Sequence, residues 1–226
     1  MEMSVLNYKI STKKIRQNYF NGSIEFKNPS KVLIDSLTNT KLLCNAISDD
    51  SYKTIYFKCS SLHLLNDCFE KLKTINICKM IYDMSIQMKY LLEEKNSVFI
   101  GFDPKHILVV NGNIFLYIYG DHLETIDKQE NVTIRYPPDY IMAPELYEIK
   151  EIPCKINYKC SYFSVGILYL YMYQLIETKN VKQIDTYDYE FIQNLLHTLS
   201  INNTKVYYFL QRCLQKKSEK RSILFI

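Results

Sequence analysis

Metal and redox chemistry need clustered ligands or paired thiols, and this chain offers neither. Its four histidines are scattered. Its seven cysteines (Cys44, Cys59, Cys68, Cys78, Cys154, Cys160 and Cys213) form no C-x-x-C pair, so reduced and mostly buried thiols are expected. Phosphate chemistry is restricted in the same way. A G-x-G-x-x-G loop cradles phosphates through three closely spaced glycines, and of Gly22, Gly101, Gly112, Gly120 and Gly166 only the first precedes residue 101. The net charge of +4 on 226 residues is mild and comes without a long basic run, which argues against a dedicated nucleic-acid surface. No segment reads as a signal core or a membrane span. Cytosol is the expected compartment.

The elements that would position any site are organised around Ser161–Ile176, SYFSVGILYLYMYQLI, the longest nearly charge-free run. It is too short and too rich in tyrosine to cross a bilayer. A helix apolar on every side must be wrapped by its own protein. Ahead of it, Ile77, Met80, Ile81, Met84, Met88 and Leu91 recur at three- and four-residue steps, marking a long amphipathic helix that Thr74 could cap. Ile107–Val110 and Ile114–Tyr117 read as strands joined through Asn111-Gly112-Asn113, a tight hairpin signal. Tyr189–Leu199 and Val206–Leu214 read as later helices. In the first sixty residues the spacing predicts a strand over Val5–Ile10, a short helix over Ile15–Phe20, and a meander of Lys31–Leu37, Lys41–Ile47 and Lys53–Lys58. From Ser61 onward, Leu62, Leu65, Phe69 and Leu72 take helical spacing, with Ser61 as cap.

A long helix, a loop, an Asn-Gly hairpin, an extended segment ending in Ala143-Pro144-Glu145 and a buried helix follow one another in an order that resembles the C-terminal lobe of protein kinases. SYFSVG resembles the D-x-W-S-x-G start of that family's central helix, with Phe163 for the tryptophan and Gly166 retained. Cys213–Ser222 resembles its closing C-L-x-x-D-P-x-x-R-P. The resemblance implies an α+β, protein-kinase-like bilobal fold: residues 1–60 a truncated N-lobe without a Gly-rich loop, and residues 61–226 a helical C-lobe around the buried helix. It implies a structural pair between Glu145 and Arg221. It also implies lost chemistry. Phosphoryl transfer needs an acid to accept the hydroxyl proton, carboxylates to hold magnesium and a lysine on the phosphates. On this alignment the catalytic aspartate is Gly101, the metal-binding asparagine is His106, and the aspartate of D-F-G is Ile118. Asp103 and Asp121 lie near these slots, and Lys9 is a weak candidate for the V-A-I-K lysine. No enzyme activity, cofactor or metal is implied.

Within degenerate kinases the chain resembles the mixed-lineage kinase domain-like (MLKL) pseudokinases of necroptosis, and in particular their truncated poxviral members. Ile15–Asn21 resembles that family's helix C segment, Ser61–Leu65 its T-L-R-E-L-L, and Val98–Val109 its glycine-bearing loop. The mapping starts the chain near the third N-lobe strand, leaving about eight residues where the family carries a killing helical bundle, fewer than the ~12–15 a single isolated helix needs. Asp121–Arg135 offers only Thr125 and Thr133 as phosphate acceptors. The resemblance implies a decoy in the host cell cytoplasm: a monomer that forms a heterodimer with the third receptor-interacting protein kinase (receptor-interacting protein kinase 3) and keeps it from cellular MLKL, without nucleic acid or membrane. The partner-binding candidates are Ile149, Ile152 and Pro153, in Tyr147–Tyr158. A pseudokinase that regulates a different kinase, and an atypical active kinase, are the competing expectations.

Overall fold

The computed structural model describes residues 7–16, 19–136, 140–178, 184 and 186–223, an α+β arrangement. The chain opens with β1 (Tyr8–Arg16) and β2 (Tyr19–Phe26), then α1 (Lys31–Asn39), β3 (Cys44–Ser48) and β4 (Thr54–Cys59). These strands form one antiparallel sheet in the order β1-β2-β4-β3. Its inner face carries Ile24, Phe26, Ile55 and Phe57, all buried.

Two expectations fail here. Ile15–Phe20, expected to be helical, belongs to β1 and β2 wherever it is described, and Gln17 and Asn18 lie outside the described residues. Lys31–Leu37, expected to be a strand, is the first part of α1. Its Val-Leu-Ile run looks β-prone, but Leu33, Ile34 and Leu37 fall at helical spacing and are all buried. Ser30 caps the helix by accepting from Leu33 N at 3.3 Å. Tertiary burial outweighs the small propensity penalty of β-branched residues.

Next come β5 (Leu62–Leu64), α2 (Leu65–Cys68) and the long α3 (Thr74–Lys95). Leu62–Leu64, expected to be helical from Ser61, instead pairs as a strand with β8 (Ile107–Val110), which also pairs with β9 (Ile114–Tyr117). A free ladder edge beside an apolar tripeptide wins over a one-turn helix. Lys73, not Thr74, stands at the N-cap of α3, where Asn76 Oδ1 accepts from Lys73 N at 2.8 Å. The hairpin turns through Asn111 and Gly112 at φ 55° and 73°, the positive values that Asn-Gly tolerates.

Between α3 and β8 lie β6 (Ser97–Phe99) and β7 (Gly101–Phe102); after β9 come β10 (Leu123–Thr125), β11 (Asn131–Ile134) and β12 (Ile141–Met142). A three-residue ladder joins β6 to β10 and a two-residue ladder joins β7 to β12. Then follow α4 (Pro144–Tyr147), β13 (Cys154–Asn157), α5 (Cys160–Thr178), α6 (Tyr189–Thr198) and α7 (Lys205–Cys213). Helix α5 is buried along its length from Cys160 to Leu170, as its composition requires. Against it lie α3, α7, β7 and β12. Gly166 allows the α7 approach: a Cβ there would stand 2.8 Å from Leu214 Cδ2. The thiols depart from expectation in degree: Cys59, Cys160 and Cys213 are buried, Cys68, Cys78 and Cys154 are half-buried, and Cys44 is exposed.

Helix α3 holds the hairpin with two buried polar side chains one turn apart. Asp83 Oδ2 accepts from Phe115 N at 3.1 Å. Gln87 Oε1 accepts from Tyr117 N at 2.9 Å while its Nε2 donates to Tyr117 O at 2.8 Å and Ser36 Oγ at 3.2 Å. The outer edge of β9 is thereby satisfied by a helix rather than by another strand, as buried backbone groups require. Gln87→Leu keeps the volume but orphans both Tyr117 backbone groups. It should lower stability by about 2–4 kcal/mol, read as a drop in urea midpoint with an unchanged slope.

Candidate functional site

The three degenerate slots meet in one place. Ile118 N donates to His106 O at 3.1 Å, and Gly101 on β7 pairs with Met142 on β12. A Cβ at Gly101 would fall 2.0 Å from two ring carbons of Tyr140. That ring occupies the space an acidic side chain would need. Tyr140 in turn lies against His122, ring centroids 3.6 Å apart. Ile118 is fully buried.

His106 is buried beneath the sheet, with Nδ1 2.9 Å from the Tyr8 hydroxyl and its ring stacked on Tyr119 at 4.0 Å and 1°. Burial lowers its pKa to about 4. His122 is coupled to the same cluster. The Tyr117 hydroxyl accepts from Asp103 N at 3.1 Å and lies 2.6 Å from His122 Nδ1, so its proton points to that nitrogen. Burial first, and then the neighbouring His106, lower His122 to about 3. Phe99 and Phe102 close the group edge-to-face against Tyr117. The result is a dry, neutral assembly of tyrosines and imidazoles.

The acids nearby are committed elsewhere. Asp103 caps the turn Pro104–His106, accepting from Lys105 N at 3.0 Å and pairing with Lys105 Nζ at 2.6 Å. Asp121 accepts from Asn7 Nδ2 at 2.7 Å. Lys9 is exposed on β1, in register with Glu25 on the outer side of the sheet, whereas Tyr8 points inward to His106. It is therefore directed away from the slots. Among the described residues no group of three or more His, Cys, Asp or Glu side chains is placed to hold a metal ion. A cluster of this kind can pack and hydrogen-bond, but it presents no anionic oxygen to a cation.

Glu145 and Arg221 form the second constellation. Pro144 starts α4 and Glu145 follows it. Arg221, 2 % exposed, meets the carboxylate with both terminal nitrogens: Nη1 to Oε1, and Nη2 to Oε2 at 3.2 Å. Its Nε donates to Gln215 O at 2.8 Å and Nη2 to Lys216 O at 3.1 Å, and the guanidinium lies 4.7 Å over the Phe163 ring. Such a bidentate fork is specific in geometry and charge.

The three partner candidates separate. Ile149 is half-buried against the core, whereas Ile152, at 44 % exposure, and Pro153 face solvent between α4 and β13. The sequence reading passed over Tyr8, Tyr119, His122 and Tyr140. The tyrosines on either side of Ile118 were the available signal for Tyr119; Tyr8, about a hundred residues earlier, gave none. Thr125 is exposed at the end of β10 and Thr133 half-buried in β11. No described helix is long and apolar enough to cross a membrane. The chain matches no protein-family model and no curated protein.

Two outcomes test this geometry. Glu145→Ala leaves a buried guanidinium uncompensated and should cost about 3–5 kcal/mol, measured by urea denaturation. The imidazoles give a pH dependence. Unfolded, both titrate near 6.5; folded, near 4 and 3. The folded chain binds fewer protons in that window, so the stabilisation is complete above about pH 6.5 and is lost as pH falls toward 4 and then 3. Between pH ~7.5 and ~5 each imidazole should withdraw on the order of 2 kcal/mol. The double variant His106→Gln/His122→Gln should flatten most of that slope.

Proposed function

We propose that this chain is a pseudokinase of protein-kinase-like bilobal fold, related to the MLKL family, that works by occupying a partner kinase and not by catalysis. The observation that carries the reading is the filling of the catalytic slots: Gly101 is covered by Tyr140, His106 is buried and neutral, and Ile118 is apolar. Phosphoryl transfer relies on positioned charge, and this locus has none to offer magnesium or nucleotide.

Two further features support the lobe assignment. In kinases the phosphate-binding lysine sits on the strand leading into helix C, whose glutamate it pairs with. Here β2 leads into α1. That moves helix C from the expected Ile15–Asn21 to Lys31–Asn39, and makes β2, preceded by one further strand, the lysine strand. Among the described side chains the buried positions of β2 are Gly22, Ile24 and Phe26, and those of α1 include Leu33 and Leu37. Lys9 is on the wrong strand for the part. The Glu145–Arg221 fork over Phe163 is the pair the kinase resemblance calls for.

As a decoy the chain would hold the third receptor-interacting protein kinase and keep cellular MLKL from being phosphorylated. Occupancy suffices, provided its concentration exceeds the dissociation constant several-fold. Ile152 and Pro153 are the exposed anchors of the intervening segment; Ile149 belongs to the core side. A regulator of a different kinase is the second reading, since fold does not choose a partner.

The experiment is affinity capture from mammalian cells undergoing necroptotic signalling, with thermal denaturation beside it. Magnesium-ATP should leave the melting temperature unchanged, and stabilisation by it would overturn the inactive reading. The receptor-interacting kinase should be recovered, and Ile152→Glu should weaken its binding roughly 30-fold, the loss of a ~2 kcal/mol hot spot. Recovery of another kinase in its place selects the second reading.

A further inference from the structure

The mild overall charge conceals a division. Residues 7–60 contain nine Lys and Arg against four Asp and Glu, a net of +5, whereas residues 61–226 contain nineteen of each. Most of that excess lies on the strands of the sheet, which carry Lys9, Lys13, Lys14, Arg16 and Lys58 against Glu25, whereas α1 balances Lys31 with Asp35. Asymmetry of this kind between two parts of a chain points to a charged partner.

The outer face of the sheet shows where that partner would sit. Register places Lys13, Asn21, Lys58 and Cys44 in one row across β1, β2, β4 and β3. All four are exposed. The adjoining row is Ser11, Ser23, Tyr56 and Ile47, in which the two serine hydroxyls lie 2.8 Å apart. Beyond Lys13, Ile15 lies at the irregularity in the β1–β2 register and belongs to neither row. Among the described residues no carboxylate pairs with Lys13 or Lys58; Glu25, the one acid on this face, pairs with Lys53 at 3.5 Å. A sheet face meant only for water carries polar residues at such positions. Here Ile47 and Tyr56 are 64 % and 46 % exposed. Lysine on an edge strand can serve simply to prevent strand addition. That explanation fits Lys13 on β1 but not Lys58, because β4 is an interior strand.

We propose that the outer face of the β1-β2-β4-β3 sheet is a docking surface for an acidic polypeptide segment with aliphatic residues between its carboxylates, Lys13 and Lys58 meeting the carboxylates and Ile47 and Tyr56 the aliphatic groups. One strand separates β1 from β4, so the Cα atoms of Lys13 and Lys58 stand about 10 Å apart at the usual strand spacing. A polyproline-II segment, with three residues per turn and ~3.1 Å rise per residue, carries carboxylates three residues apart on one side at about the same distance. A nucleic acid is the poorer fit, since single strands need a cationic groove with several stacking rings and this face has one described ring. A bilayer also fits poorly: Tyr56 and Ile47 form a two-residue apolar patch beside Lys58, too small for an inserting tip. This surface lies on the sheet side turned away from the slots and is independent of the pseudokinase reading.

Fluorescence anisotropy of a labelled peptide built from Glu-Leu-Val repeats tests it. The full chain should bind at low salt and lose affinity as salt rises, because exposed charges are screened. Lys13→Glu/Lys58→Glu should weaken binding by tenfold or more, and Ile47→Ser/Tyr56→Ser by several-fold, with melting temperatures near wild type since all four side chains are exposed. A peptide that does not bind, or that binds both double variants as well as wild type, would overturn the proposal. So would lysine-dependent binding of oligodeoxythymidylate or phosphatidylserine vesicles in the absence of peptide binding.

Discussion

Helix α5 is buried on every side from Cys160 to Leu170, and the rest of the larger part of the chain is arranged to cover that stretch. An apolar cylinder leaves its neighbours free to slide, because dispersion contacts have little directional preference. Ser164 removes that freedom. Its hydroxyl accepts from Ala143 N at 3.0 Å and lies 2.9 Å from the Ile100 and Cys160 carbonyls, to which it can donate. One side chain thus fixes the strand end before Gly101, the start of α4 and the first turn of α5 relative to one another. The positions of Gly101 and Glu145 follow from it.

A second device of the same type acts on the other side. Asp83 and Gln87 project from α3 and satisfy backbone groups of β9, so the hairpin is placed by directional bonds within an otherwise apolar interface. Burial raises the Asp83 carboxyl pKa while the bonds from Lys79 and Phe115 oppose that rise. The tyrosine and imidazole cluster sits at the end of this hairpin. His106 and His122 remain neutral because they are buried, and rings from the sheet, the loop and the segment before α4 pack together around them.

The elements that were legible are those whose pattern is long. A sixteen-residue run without a charge, a repeated three- and four-residue step and an Asn-Gly turn announced α5, α3 and the β8–β9 hairpin. The misread elements are short. Ile15–Phe20 and Lys31–Leu37 exchange roles between helix and strand because six or seven residues satisfy either period about equally well. Partners in space then decide: β4 offered β2 an edge, and α3 offered α1 an apolar face. Leu62–Leu64 went the same way when β8 stood beside it.

Amino-acid types by themselves determined that the chain would have a fully enclosed helix, would lack a glycine phosphate loop, and would place glycine, histidine and isoleucine at Gly101, His106 and Ile118. The kinase resemblance added Glu145 and Arg221 as a pair. Only the folded arrangement decided that the space at Gly101 would be taken by Tyr140, that His106 and His122 would be neutral, and that Lys13 and Lys58 would share one face of a sheet. Identity is local, but burial, pKa and the facing of side chains depend on residues from distant parts of the chain. No window of sequence contains them.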